Sequence, residues 1–190
     1  MEIKSKNELK DILSFEKQQY FKDGKITCEI KYRQSVNYQI YKYIYYLRKY
    51  EYYCYRRDNS SNPVLAKLWS FKVKKADRKK NKSGSSACVE ITPNFVDKGV
   101  RICHRNVVIN GIVGENCVFH GNNVIGNKKT GAKDLVPHIG RNVDVGTGAT
   151  IIGDITIADK CIIGAGAVVT RSFETPGSVV VGVPAKCINN

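Results

Sequence analysis

Several things are scarce in this chain of 190 residues, and each scarcity removes a class of answer. No apolar run reaches the roughly 18 residues that a membrane-spanning helix needs. The opening stretch, MEIKSKNELKDIL, lacks the apolar centre of a secretory signal. The seven cysteines contain no CxxC pair and keep no regular spacing, which excludes a zinc or disulfide framework and fits a reducing compartment. A cytoplasmic protein is expected, with a peripheral position at the inner membrane face as a variant of that expectation. Histidine is rare too: only His104, His120 and His138 are present, so few groups titrate near neutral pH. Acidic residues are outnumbered, 17 against 31 lysines and arginines.

What the chain does have is a period of six. From Ile139 to Val169 an aliphatic residue falls on every sixth position: Ile139, Val145, Ile151, Ile157, Ile163, Val169. A second lattice of mostly small apolar residues runs at Val143, Ala149, Ile155, Cys161 and Ala167. Six is neither the helical 3.6 nor the strand period of 2, and it marks a short-repeat solenoid. Three such sides make one triangular turn, with the aliphatic residue at the centre. Gly140, Gly146 and Gly164 follow their aliphatic residue, where a tight corner is expected. Upstream, Val89, Phe95, Val107, Val113, Phe119 and Ile125 keep the spacing, and Arg101 breaks it. The polar stretch from Asn127 to Pro137 reads as a loop thrown out of the coil.

The N-terminal part is different. Residues 1–86 hold 21 basic and 9 acidic residues, a net +12 of the total +14, and all 11 tyrosines lie between Tyr20 and Tyr55. The segment from Tyr32 to Arg57 lacks glycine and proline and suits a helix. Pro63 permits a second helix from about Asn62, with Val64, Leu65, Leu68, Trp69 and Val73 as its apolar face. KVKKADRKKNKSGSS then reads as a basic helix end and a flexible linker. The expected division is a helical, basic, tyrosine-rich cap over 1–86 and a solenoid over 87–190, with an ejected loop at 127–138 and a closing tail. The cap has three readings: a solvated helical face whose tyrosines pack together, a surface drawn to anionic lipid with tyrosines at the interface, or a nucleic-acid site. No nucleic-acid motif accompanies the basic residues, and no such partner is expected.

The stretch IGRNVDVGTGATIIGDITIADKCIIGAGAVV followed by GVPAK resembles the hexapeptide-repeat acyltransferases. VEITPN, ICH, VVIN and GENCVFHGNNVIG resemble their serine acetyltransferase branch, and more closely its relatives that O-acetylate bacterial surface polysaccharides. The resemblance implies a mainly β fold, a left-handed parallel β-helix with a small α-helical N-terminal cap. It also implies a homotrimer using acetyl-CoA as co-substrate, with no metal. Acetyl transfer to a hydroxyl needs a base for the proton and a donor for the oxyanion. The resemblance makes His104 the base and Glu90, in Glu90-Ile91-Thr92-Pro93, its acid partner. It puts His120, Asn110 and Asp134 on the acceptor side. It puts the cofactor against Gly146, Thr147, Gly148, Gly164 and Ala165, with Lys186 at a CoA phosphate and Arg171 as a weaker choice. His120 is the alternative base. Two departures stand out. The interval from Glu90 to His104 is one residue shorter than in the family, so distorted first coils are expected. Leu135 and Val136 stand where serine acetyltransferases carry an arginine and a histidine that hold the substrate, and only Asp134 of that motif remains. The expected function is therefore acetyl-CoA-dependent O-acetylation of a sugar hydroxyl in a surface polysaccharide or its precursor. The rivals are serine O-acetylation, N-acetylation of an amino sugar, and a non-catalytic solenoid.

Overall fold

The computed structural model describes residues 1–21, 24–27, 35–129 and 135–189. The chain forms two compact units, residues 1–89 and 90–190.

The first unit holds three helices. Helix α1 (Lys6–Tyr20) starts at a capping box: the Ser5 hydroxyl accepts from the Glu8 N–H at 3.1 Å, and the Glu8 carboxylate accepts from the Ser5 N–H. Helix α2 (Val36–Asp58) is capped by Ser35, and α3 (Pro63–Ala87) by Asn62, with Pro63 in its first turn. Ile3, Leu9, Ile12 and Tyr52 make an apolar cluster against which Trp69 packs. Among the described residues Tyr20, Tyr41, Tyr45, Tyr46, Tyr52 and Tyr53 pack on neighbouring rings; Tyr41, Tyr43 and Tyr52 are buried, and Phe21 meets Tyr41 edge-on at 5.3 Å.

Arg48 lies fully buried between two acids. Its guanidinium donates to Glu16 at 2.8 and 3.0 Å and to Glu51 at 3.1 Å. Burial disfavours its charge, but the two carboxylates outweigh this and hold it above the ordinary arginine range.

Two features of α3 differ from expectation. The anticipated linker is helix: α3 runs to Ala87 and stops at Cys88, which adopts a left-handed conformation at φ 52°. Small residues explain this. A Cβ at Gly84 would lie 3.0 Å from the Tyr43 ring, so Gly84, buried with Ser83 and Ala87, lets α2 and α3 approach closely. The apolar face also differs. Val73 is buried and Trp69 half-buried, but Val64, Leu65 and Leu68 are exposed.

The second unit is a left-handed parallel β-helix whose three sides are sheets. Sheet A contains β1 (Val89–Ile91), β3 (Val107–Ile109), β6 (Val124–Gly126), β9 (Thr150–Ile152) and β12 (Val168–Val169). Sheet B contains β4 (Ile112–Val113), β7 (His138–Ile139) and β10 (Thr156–Ile157). Sheet C contains β2 (Arg101–Ile102), β5 (Val118–Phe119), β8 (Asp144–Val145), β11 (Ile162–Ile163), β13 (Val179–Gly182) and β14 (Ala185–Cys187). Only β14 runs antiparallel, folding back on β13 to end the coil.

Each sheet stacks one aliphatic or aromatic residue inward per strand. Ile102, Phe119, Val145, Ile163 and Val180 are in register along sheet C. Ile109, Ile125, Ile151 and Val169 do the same in sheet A. All six members of the Ile139–Val169 lattice are at most 3% exposed. Upstream the inward residues are Ile91, Val96, Ile102, Ile109 and Val113: Ile91, Val96 and Ile109 stand at the centre in place of Val89, Phe95 and Val107, and Ile102 fills the place where Arg101 broke the period. Successive sides there are five, six, seven and four residues long, which is why a strict six fails. Left-handed residues stand at corners all along the coil, in sides of regular and irregular length alike: Asn94, Asn106, Asn116, Asn122, Asn142 and Lys160 all have positive φ. Asparagine tolerates this conformation better than most side chains. Gly140, Gly146 and Gly164 have no positive φ; they are small because the next coil is close. A Cβ on Gly146 would lie 2.6 Å from the Ala165 nitrogen.

Replacing Arg48 with methionine should leave Glu16 and Glu51 buried without their cation. A loss of about 3–5 kcal/mol in unfolding free energy is expected, read by chemical denaturation followed by circular dichroism.

Candidate active site at one edge of the β-helix

The edge where sheet C turns into sheet A collects most of the candidate residues. His104 follows β2 and is exposed. The pairing of Arg101 with Val118 and Ile102 with Phe119 sets Cys103 beside His120 and His104 beside Gly121. The fit at Gly121 is close: a Cβ there would lie 2.6 Å from the His104 Cβ, and its φ is +114°. The ladder then continues. Phe119 pairs with Val145 and Val145 with Ile163, which stacks Gly121, Thr147 and Ala165 on one another. Backbone bonds link these corners: Gly148 N–H donates to Gly121 O, and Gly166 N–H to Thr147 O, each at 2.9 Å. Val181 follows above Gly164, and Lys186 is its register partner on β14, exposed. His104, the two Gly-x-Gly corners and Lys186 therefore share one edge. Five strand spacings separate β2 from β14, about 24 Å along the axis.

His120 is half-exposed on the outer face of sheet C. Its Nε2 lies 2.9 Å from an Asp144 carboxylate oxygen one strand further on. Asp144 had no place among the sequence candidates. The contact holds the ring with Nε2 toward the carboxylate and leaves Nδ1 for another partner.

The other candidates lie elsewhere. Glu90 points outward from the middle of β1 in sheet A, because Val89 and Ile91 on either side point inward. Among the described residues neither its carboxylate nor the His104 ring has a hydrogen-bond partner, so the expected acid–imidazole pair is not joined. The acid–imidazole pair present is His120–Asp144. Asn110 sits past the other end of its sheet A strand. Its side chain is taken up in a polar ladder, accepting from the Thr92 hydroxyl at 3.0 Å and donating to Asn127 at 3.5 Å. His138 is exposed on sheet B. Asp134 lies outside the described residues. Val136 is 2% exposed, so its side chain belongs to the interior; Leu135 is exposed. Among the described residues no cluster of three or more His, Cys, Asp or Glu is placed to hold a metal ion, and no helix is long and apolar enough to cross a membrane.

No family model matches the chain. Its sequence is similar to serine acetyltransferases. One from Buchnera aphidicola is 33% identical over 97 residues, 49% of this chain and 37% of the relative. One from Synechococcus elongatus is 36% identical over 104 residues, 53% of this chain and 42% of the relative. One from Helicobacter pylori strain J99 is 36% identical over 105 residues, 53% of this chain and 60% of the relative. The chain thus spans less than two thirds of these relatives. In structure it is similar to the serine acetyltransferase of Neisseria gonorrhoeae in complex with serine, with TM-score 0.68 and 22% identity over 97% of this chain and 70% of the other. A serine acetyltransferase in complex with CoA gives TM-score 0.62 and 17% identity over 96% of this chain and 70% of the other.

These findings overturn the surface-polysaccharide reading. That reading leaned on Leu135 and Val136 as replacements for charged substrate ligands. The burial of Val136 removes half of that support, because a side chain turned into the interior says nothing about which acceptor the surface would hold.

Gly121→Ala should strain the corner and push against His104. A stability loss of about 1–3 kcal/mol is expected from the positive φ alone. The His104 ring resonances should shift while the β-sheet circular dichroism is kept.

The chain is thus similar in sequence, over about half its length, to serine acetyltransferases, and in fold, over nearly all of it, to solved structures with a left-handed parallel β-helix.

Proposed function

We propose that the chain transfers the acetyl group of acetyl-CoA to the hydroxyl of serine. One observation carries this reading above the others: an exposed histidine and two Gly-x-Gly corners share one edge of a β-helix whose relatives are serine acetyltransferases. His104 acts as general base. It takes the hydroxyl proton as the serine oxygen attacks the thioester carbonyl. The tetrahedral oxyanion collapses, the carbon–sulfur bond breaks, and the CoA thiolate recovers the proton. The products are O-acetylserine and CoA.

The pantetheine arm would run along the edge past Thr147 and Ala165, where small residues let it approach the backbone. Lys186, at the far end, is suited to a CoA phosphate. His120, held by Asp144, is assigned to the acceptor side. Glu90 would steady the imidazolium only by closing on His104 when substrate binds, so its share is smaller. A homotrimer, with the cofactor between neighbouring subunits, fits the outward apolar residues Val108, Val124, Ile112 and Ile162.

The test is direct. The full chain, given acetyl-CoA and serine, should release CoA and form O-acetylserine detectable by mass spectrometry. His104→Ala should lower kcat by about 10² to 10⁴, with CoA affinity by calorimetry unchanged. Ala165→Trp should do the reverse, weakening CoA binding while the fold is kept. Absence of O-acetylserine would refute serine as acceptor, and full activity in His104→Ala would refute the base.

A further inference from the structure

Helix α3 carries a face that nothing among the described residues covers. Val64, Leu65, Leu68 and Phe71 are 74, 47, 48 and 66% exposed, four large apolar side chains within two turns. Scattered exposed apolar residues are ordinary on a protein surface; a contiguous group on one helix face is the informative case. At 3.6 residues per turn, Val64, Leu68 and Phe71 fall within an arc of about 60°, and Lys75 and Arg78 continue the same stripe. Lys67 and Lys74 flank it on one side, also exposed. Over its length α3 has eight basic residues and one acid, Asp77, which pairs with Lys80 at 3.0 Å off this stripe. The opposite face, with Val73, Ala76, Ser83, Gly84 and Ala87, is buried.

We infer that this face docks on an anionic membrane surface. An apolar group bordered by lysine and arginine, on a helix too polar to span a bilayer, is the pattern of a helix lying in the interface. The apolar side chains enter the acyl boundary and the cations meet lipid phosphates. The observations favour this occupant over two others. A second copy of the chain packed face to face would set the basic stripe against itself, a like-charge contact. A nucleic acid would engage the lysines but leave the four apolar side chains in water. The aromatic residues do not share the role expected of them at an interface: Tyr41, Tyr43 and Tyr52 are buried in the helical core, and Trp69 is half-buried with Lys72 4.2 Å above its ring.

The full-length chain should cosediment with vesicles of equal parts phosphatidylcholine and phosphatidylglycerol. It should bind vesicles of phosphatidylcholine alone far less, and the difference should shrink as salt is raised. The double substitution Leu68→Ser with Phe71→Ser should weaken partitioning into the anionic vesicles by about tenfold or more. Charge reversal at Lys74, Lys75 and Arg78 should do the same, at about fivefold or more for each residue. All these side chains are exposed, and an unchanged circular dichroism spectrum confirms the fold of each variant. Failure of the wild-type chain to bind anionic vesicles would overturn the inference, as would wild-type binding by both variants. A drop in oligomeric state on serine substitution, measured without lipid, would also overturn it by assigning the face to a second copy. Tight binding of a single-stranded oligonucleotide, lost on charge reversal but untouched by the serine substitutions, would assign it to nucleic acid.

Discussion

Every coil of the β-helix must hand one apolar side chain from each of its three sides to the coils above and below. Strands in such a ladder lie about 4.8 Å apart, so an inward residue touches its equivalents in both directions. In sheet C the stack runs unbroken from Ile102 through Phe119, Val145 and Ile163 to Val180. This column sets the register, and the register sets everything outside it. Each inward residue turns its neighbours outward, which exposes Glu90, Asp144 and His120. A slip of one residue would exchange the inside for the outside.

The candidate site is a by-product of that stacking. His104 comes next to Gly121 because Ile102 must meet Phe119, and Thr147 comes next to Ala165 because Val145 must meet Ile163. The coils are close enough that Gly121, Gly146 and Gly164 cannot carry a Cβ without displacing a neighbour. The same glycines therefore serve the packing and leave an edge of bare backbone. A long, thin substrate arm suits such an edge, since it needs closeness more than depth. The acetyl transfer proposed above would ask for only one exposed base on the same line, where His104 stands.

The helical unit works under a different constraint. Its core is built from tyrosines and short aliphatics around a buried cation, Arg48, whose two carboxylates come from α1 and from α2 itself. Burying three charges stabilises little compared with an apolar core, but removing any one is costly. The arrangement thus fixes how α1 sits on α2. Gly84 and Ser83 do the same for α2 and α3 by closeness instead of charge. Once both contacts are made, the side of the first two turns of α3 that carries Val64, Leu68 and Phe71 is left uncovered by the described residues.

The six-residue lattice from Ile139 to Val169 could be read from the sequence because each residue there meets only its own repeat. The side of the coil is short, its period is its own, and the core positions announce themselves. The corners at Gly146 and Gly164 lie inside that lattice and were readable with it, whereas His104 was singled out by the resemblance alone. Where sides of five, six, seven and four residues alternate, between Ile91 and Val113, the period vanished and Val89, Phe95 and Val107 were misplaced, since the inward choice there is made by the neighbouring coil. The His120–Asp144 contact was beyond reach, because the polar stretch from Asn127 to Pro137 interrupts the six-residue count that would have set the two strands side by side. The separation of Glu90 from His104, the interior position of Val136 and the uncovered face of α3 also belong to the tertiary structure. Each depends on which surface a neighbouring element occupies, and a local pattern of apolar and polar residues carries no record of that.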